Sequence, residues 1–209
     1  MDNSKRTTPD RQCKYLHSIS TLTELFSPDE CERIIDNGLN NWEEQKSTIQ
    51  ANTEQPSDIE NNDIRNVTMF ISPKPEEELN NKIIGAIMHV NSTENSYGFD
   101  VYGMAEPYAL MRYQSPDLSP NGKPGKYDWH MDIGVNSILT MRKLSYSLLL
   151  NAGDYEGGKL EFFGDKDTGS QDDCGSMIIF PSYLVHRVLP VTKGTRYALV
   201  GWLHGNSFK

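Results

Sequence analysis

The sequence predicts an α+β chain in which two amphipathic helices precede a β domain of seven or eight short strands, folded as a barrel or double sheet. Three observations predict it. Apolar residues recur at helical spacing in two segments, both before residue 91. From about residue 98 onward the pattern changes to short apolar runs separated by Gly-, Pro-, Asn- and Asp-rich turns. One of those runs, "KLSYSLLLN" (143–151), alternates between a leucine-rich face and a serine-bearing face, as a strand covered on both sides would.

The first helix is expected over "SPDECERIIDNGLNNW". Ser27 stands at the N-cap, Pro28 at N1 and Glu30 at N3, a capping box with a proline start. Its inward residues are Cys31, Ile34, Ile35, Leu39 and Trp42. The second helix is expected over "PEEELNNKIIGAIMHV", with acidic residues in its first turn and Leu79, Ile83, Ala86, Ile87 and Val90 facing inward. Between them, "EQKSTIQANTEQPSDIENND" (45–64) is polar and reads as a long loop.

Strands are expected at 107–114, 126–132, 143–151, 158–163, 176–181, 184–190 and 195–204. The turns "SPNGKPG", "YEGG", "DKDTGSQDD" and "TKG" separate them. In the alternating run, Leu144, Tyr146, Leu148 and Leu150 should meet the helices. Ser145, Ser147 and Leu149 should look into the space between the sheets.

At 209 residues, with 36% hydrophobic and 10% aromatic residues, the chain suits one globular domain over 1–209. Residues 1–19 form an N-terminal extension and the core lies at about 98–205. A formal net charge of −9 argues against nucleic acid and anionic membrane as partners and leaves a protein substrate open. No apolar run approaches a membrane span. The opening "MDNSKRTTPDRQCK" lacks the apolar stretch of a secretory leader. Cys13, Cys31 and Cys174 are an odd, widely spaced set, which suggests neither a disulfide framework nor a Cys-x-x-Cys metal site. The expected compartment is the reducing cytoplasm, where the sequons at Asn66 and Asn91 carry no sugar. The sequence does not speak to oligomeric state.

Chemistry concentrates in "YDWHMDIG" (127–134). In a strand His130 and Asp132 would project side by side. A surface pair on an edge strand is the plain alternative, and a third ligand decides between the two. His186 supplies it: it lies in the apolar strand "SYLVHRVLP", where a buried imidazole needs partners for both ring nitrogens. Two imidazoles and a carboxylate hold iron(II) on one face and leave other positions open. Zinc accepts the same atoms, so the ligands alone leave the metal undecided. His89 and His204 read as packed or surface histidines, and His17 as part of an early strand or linker.

Arg196 follows ten residues after His186. If the two strands form a hairpin turning near Lys193, Val200 lies level with His186. Arg196 is then about 13 Å along the sheet, at roughly 3.3 Å per residue. A guanidinium there suits one end of a small dicarboxylate whose other end is on the metal. By strand alternation Arg196, Ala198, Val200 and Trp202 share a face, so Trp202 would wall the same space.

With "HMD", "VHRVLPVTKGTR", "YEGGKLEFF" and "GSMIIFPS" in place, the chain resembles the Fe(II)- and 2-oxoglutarate-dependent oxygenases of the prolyl 4-hydroxylase-like branch, in particular small bacterial and viral members. "LFSPDECERII", "YGFDVYGMAEPYALMRY", "RKLSYSLLLN" and "RYALVGWLHG" extend the likeness over nearly the whole chain from about residue 20. The resemblance implies a double-stranded β-helix (jelly-roll) core with the N-terminal helices packed on one sheet. It implies His130, Asp132 and His186 as Fe(II) ligands and Arg196 as partner of the distal carboxylate of 2-oxoglutarate. Tyr113 and Ser147 would hydrogen-bond the cosubstrate, although the insertion "SPDLSPNGKPGK" separates Tyr113 from the metal motif. Trp202 would line the site, with Val188, Leu149 and Leu160 as pocket walls. Leu149 departs from one animal subgroup, which has a tyrosine there.

The implied activity is hydroxylation of a prolyl residue in a peptide or protein, with release of succinate and CO2 and with ascorbate as an accessory reductant. Rival readings are hydroxylation of a free amino acid or other small molecule, a zinc-dependent hydrolase, which would have no need of Arg196, and a binding module that has lost its chemistry. Segment 115–125 is a candidate lid, equally readable as a passive insertion, and 45–64 a second candidate for substrate contact.

Overall fold

The first helix begins where its capping residues put it. In the computed structural model, which describes residues 18–46, 49–50, 58–74, 76–92, 97–135, 138–164 and 173–207, helix α1 spans Pro28–Asn41. The Ser27 hydroxyl accepts from the Glu30 amide (3.3 Å), and the Glu30 carboxylate accepts from the Ser27 amide (2.7 Å). Lys82 of helix α2 (Glu77–Ser92) adds an ion pair to Glu30 at 2.6 Å. The Lys82 hydrogen bond and the Ser27 amide bring the Glu30 pKa down to about 2. Asn91 closes α2 by donating to the Phe99 carbonyl and accepting from its amide.

Fourteen strands follow and flank these helices among the described residues, so the molecule is mostly antiparallel β rather than an even α+β mixture. The larger sheet runs β1 (Ser20–Leu22), β12 (Met177–Pro181), β9 (Arg142–Leu149), β14 (Val191–His204), β7 (Ala109–Gln114), β6 (Thr68–Ile71) and β2 (Glu43–Lys46), with β10 (Tyr155–Gly157) also paired to β14. The smaller sheet runs β11 (Leu160–Phe162), β13 (His186–Val188), β8 (Lys126–His130) and β5 (Arg65–Asn66). Strands β3 (Ile49–Gln50) and β4 (Asp58–Ile59) pair only with each other.

Alternation along the strands divides two cores. Leu110 of β7 and Leu144, Tyr146 and Leu148 of β9 are buried in one cluster with Cys31 and Ile34 of α1 and Leu79, Ile83 and Ile87 of α2. Helix α1 approaches β7 so closely that a Cβ at Gly38 would run into the Leu110 side chain. The opposite face of β7, with Ala109, Met111 and Tyr113, packs with Phe180 of β12 against Leu160, Phe162 and Val188 of the smaller sheet. Ser145 and Ser147 lie on this second side of β9, as their alternation requires. Ile83 is fully buried. Ile83→Ala is expected to cost about 2–5 kcal/mol, read as a lower urea midpoint with an unchanged slope.

Three expectations need correction. His186 and Arg196 do not lie on a hairpin: β13 pairs with β11 and β8, whereas β14 pairs with β7, β9 and β10. The chain passes from one sheet to the other at Leu189–Pro190, so a level computed along a shared sheet does not apply. Segment 45–64 is not simply a loop, because β2 overlaps its start and pairs with β6. All four β2 residues, Glu-Glu-Gln-Lys, are exposed; a charged edge strand carries no apolar alternation to read. Finally, β8 ends at His130 rather than 132. No helix among the described residues is long and apolar enough to cross a membrane. His17 and Cys13 lie outside the described residues.

Candidate metal and cosubstrate site

Strands β8 and β13 are antiparallel neighbours, and His130 sits directly opposite His186. Facing positions project to the same side of a sheet, which brings the two imidazole centroids to 4.2 Å. Asp132 arrives differently. It lies beyond the end of β8, where its amide donates to the Ser182 carbonyl at 2.9 Å. One donor atom from each of His130, Asp132 and His186 falls within 4.8 Å of the others.

The protons on these groups are fixed by their other contacts. His130 Nδ1 lies 2.7 Å from the Asp128 carbonyl and His186 Nδ1 2.8 Å from the Leu184 carbonyl. A carbonyl only accepts, so both Nδ1 atoms carry hydrogen and the Nε2 atoms are left for other partners. Those Nε2 atoms stand 3.7 and 3.8 Å from the Asp132 carboxylate, too far for a hydrogen bond. Burial and the neighbouring His186 push the His130 pKa well below its usual range. Burial would raise the Asp132 pKa, but His186, His130, the Ser145 hydroxyl and Arg142 outweigh it and hold it low. Two imidazoles and a carboxylate whose donor atoms converge could hold a divalent metal, and iron accepts such donors.

Ser145 donates to Asp132 Oδ2 at 2.6 Å. The Ser182 hydroxyl is a second hydrogen-bond partner of the Ser145 hydroxyl, 2.9 Å away. Arg142 grips the same residue from behind: Nη1 donates to the Asp132 carbonyl at 3.0 Å. Its Nε and Nη2 form a fork on Glu106 at 2.6 and 2.5 Å, and its guanidinium lies 3.5 Å over the Trp202 ring. His204 is fully buried and accepts from the Ala105 amide at Nδ1. Its Nε2–H therefore faces Glu106 at 2.8 Å, and both nitrogens are satisfied away from the metal donors.

Burial would raise the Glu106 pKa, but the Arg142 and His204 hydrogen bonds bring it down to about 2 from 4.5. A carboxylate depressed on folding stabilises the fold above its unfolded pKa and loses that contribution as pH falls through the folded value. Glu106→Gln should therefore lower the urea midpoint at pH 6, and the gap to the parent should close between pH 4.5 and about 2.

A cavity of about 730 Å³ opens over the metal donors, and Arg196, Tyr113, Ser147 and Trp202 all line it. Arg196 is only 3% exposed and stands opposite Tyr113 across β14 and β7, with its guanidinium carbon 5.3 Å from the Tyr113 ring. Its buried Nε has no hydrogen-bond partner among the described residues. A buried guanidinium left short of acceptors is costly unless an anion joins it, so this place in the cavity could take an anion. Gly158 makes room for it. At φ +65°, a Cβ there would come within 2.9 Å of Arg196 Cδ, which accounts for a glycine of "YEGG". Burial raises the Tyr113 pKa, so its phenol remains a donor.

Residues 110–204 match the family model of the 2OG-Fe(II) oxygenase superfamily. That stretch is similar to a 2OG-Fe(II) oxygenase domain. This family uses Fe(II) and 2-oxoglutarate, and the His130–Asp132–His186 cup is consistent with that iron. Over 106 residues the chain is 36% identical to a PKHD-type hydroxylase of Hyphomonas neptunium, covering 48% of this chain and 47% of that protein. A PKHD-type hydroxylase of Gloeothece citriformis is 39% identical over 84 residues, covering 40% and 34%. The aligned stretch thus spans half or less of these relatives. The fold is shared with a prolyl hydroxylase of Trichoplax adhaerens solved with a hypoxia inducible factor peptide fragment (TM-score 0.66, 17% identity, 90% of this chain and 84% of that one). It is shared also with a viral collagen prolyl hydroxylase of Paramecium Bursaria Chlorella virus-1 (TM-score 0.63, 19% identity, 90% and 96%).

Around the site, sequence reasoning overlooked Ser145, Ser182, Arg142, Glu106 and Tyr127. Ser145 was within reach, since it shares its face with Ser147, and it is Ser145 that touches Asp132. Leu149 is buried but does not line the cavity. Segment 115–125 does not line it either. Asn66 ties that segment down by donating to the Lys123 and Pro124 carbonyls. From 45–64, Gln45 and Ile64 reach the cavity wall.

Proposed function

We propose that the protein is an Fe(II)- and 2-oxoglutarate-dependent dioxygenase that hydroxylates a prolyl residue in a peptide or protein. One observation carries this reading: a convergent His-Asp-His cup and a buried, acceptor-poor arginine share one cavity. A zinc hydrolase would leave Arg196 without a task, whereas 2-oxoglutarate has a carboxylate for each end of that space. The PKHD-type hydroxylase relatives support hydroxylation, and the prolyl hydroxylases that share the fold support a prolyl substrate.

His130, Asp132 and His186 would hold the iron, which when bound supplies a Lewis acid and a redox centre for oxygen. Arg196 would take the distal carboxylate by charge and paired N–H donors, with the Tyr113 phenol and the Ser147 hydroxyl as further donors to the cosubstrate. Trp202, held flat under Arg142, would form a rigid wall against the substrate and exclude water from the reacting carbon. The balanced outcome is one oxygen atom in the new hydroxyl and one in succinate, with CO2 released. Incubation with Fe(II), 2-oxoglutarate and a pool of proline-containing peptides should yield succinate and peptides heavier by one oxygen. Succinate without peptide oxidation, but with oxidation of free proline, would favour a small-molecule substrate. No iron-dependent succinate at all would refute the reading.

A further inference from the structure

The two histidines of the cup are held in unequal ways. His186 is 5% exposed and wedged beside Phe180 and Phe162, with ring centroids at 4.7 and 5.8 Å. His130 is the more exposed of the two, and one of its faces is covered by Tyr127, stacked at 3.4 Å and 14°. In a regular strand residues three apart point to opposite faces, so this stack needs an irregularity. The pairing of β8 with β13 provides it: His130 faces His186 and Tyr127 faces Val188, so three steps along β8 oppose two along β13. That is a β-bulge at Asp128–Trp129, a device that re-aims side chains beside active sites.

The bulge residue is itself tied to the site. The Asp128 carboxylate accepts from the Trp129 amide at 2.8 Å, and the Asp128 carbonyl takes the His130 Nδ1 proton. Behind Tyr127 stands Arg65, its cross-strand partner on β5. The Arg65 guanidinium carbon lies 4.5 Å over the phenol ring, and Nη2 is steadied by Met69 Sδ at 3.1 Å. Guanidinium, phenol and imidazole thus form a three-layer stack that ends on a metal donor.

We propose that Tyr127, backed by Arg65, is a positioning residue for His130: the bulge and the stack fix the imidazole plane so that Nε2 aims at the metal. The stack acts through the ring of Tyr127, not through its hydroxyl. This rests on the metal reading of the cup, and the test separates the two.

The metal-free full chain would be titrated with Co(II) by calorimetry and visible absorption, with thermal midpoints recorded for each variant. Tyr127→Leu should weaken Co(II) binding about 10- to 100-fold, the range for supports of metal ligands. Tyr127→Phe should remain within about twofold of the parent, and Arg65→Gln should lose about two- to fivefold as the cation–π layer goes. In the Co(II)-shifted proton spectrum one of the two imidazole N–H signals should move in Tyr127→Leu while the other stays. A merely structural role for Tyr127 would lower the midpoint without that selective shift. Parent-like affinity in a folded Tyr127→Leu, or equal losses in the Leu and Phe variants, would overturn the proposal. If Tyr127→Leu does not fold, unchanged binding in Arg65→Gln overturns it. Failure of the parent to bind Co(II) would instead defeat the metal reading.

Discussion

His186→Ala is expected to abolish iron-dependent turnover of 2-oxoglutarate and to weaken divalent-metal binding beyond about a hundredfold, since even loss of a supporting contact costs 10–100-fold. The substitution removes a donor whose proton position is fixed by the Leu184 carbonyl, and the Asp132 carboxylate then faces only His130. Asp132→Ala should be as damaging, for it takes away the charge that offsets the metal and leaves the Ser145–Ser182 hydroxyl pair aimed at nothing. His130→Ala completes the set. The measurements are Mn(II) or Co(II) titration of the metal-free chain and succinate formation without peptide. His89→Ala, at an exposed position on α2, serves as the control and should leave both unchanged. Undiminished succinate formation in the His130→Ala and Asp132→Ala variants would falsify the assignment of the donors.

The helices and the site were unequally legible in the sequence. The Ser27–Glu30 capping box fixed the start of α1 because capping is local chemistry between residues three apart. Strand faces were legible for the same reason: alternation placed Leu144, Tyr146 and Leu148 against one core and Ser145 and Ser147 toward the other. What escaped was whatever depends on pairing. His186 and Arg196 read as hairpin partners because a Lys-Gly turn lies between them, yet Gly194 pairs with Tyr155 of β10, and the strands belong to different sheets. Arg196, Tyr113, Ser147 and Trp202 do line one cavity, whereas Leu149 does not, and the route that brings them there is not a hairpin. Tyr127 escaped because period two puts it on the far face from His130, and only a bulge, set by how β8 meets β13, reverses that. Arg142 and Glu106 escaped because a buried fork between residues 36 apart leaves no spacing signal.

Arg196→Ala is expected to raise the 2-oxoglutarate requirement steeply while leaving metal affinity within about twofold of the parent. Removing one partner of a buried, hydrogen-bonded charge pair costs about 2–5 kcal/mol, roughly 30- to 5,000-fold in affinity. The metal donors should not notice, because they come from β8, the segment after it and β13, whereas Arg196 sits on β14 of the other sheet. Arg196→Lys keeps the charge but loses the planar fork, so its cosubstrate affinity should fall between the two. Stability provides the discriminating measurement. A guanidinium placed to hold the fold together would lower the urea midpoint of the ligand-free protein when removed. Arg196 is instead buried with its Nε unpartnered, a cost the ligand-free fold already bears. Deleting it should therefore leave the midpoint nearly unchanged without 2-oxoglutarate, and erase the stabilisation that metal plus saturating 2-oxoglutarate confers on the parent. A large loss of stability without cosubstrate, together with unaltered 2-oxoglutarate affinity, would make Arg196 a structural cation and empty the carboxylate seat of its meaning.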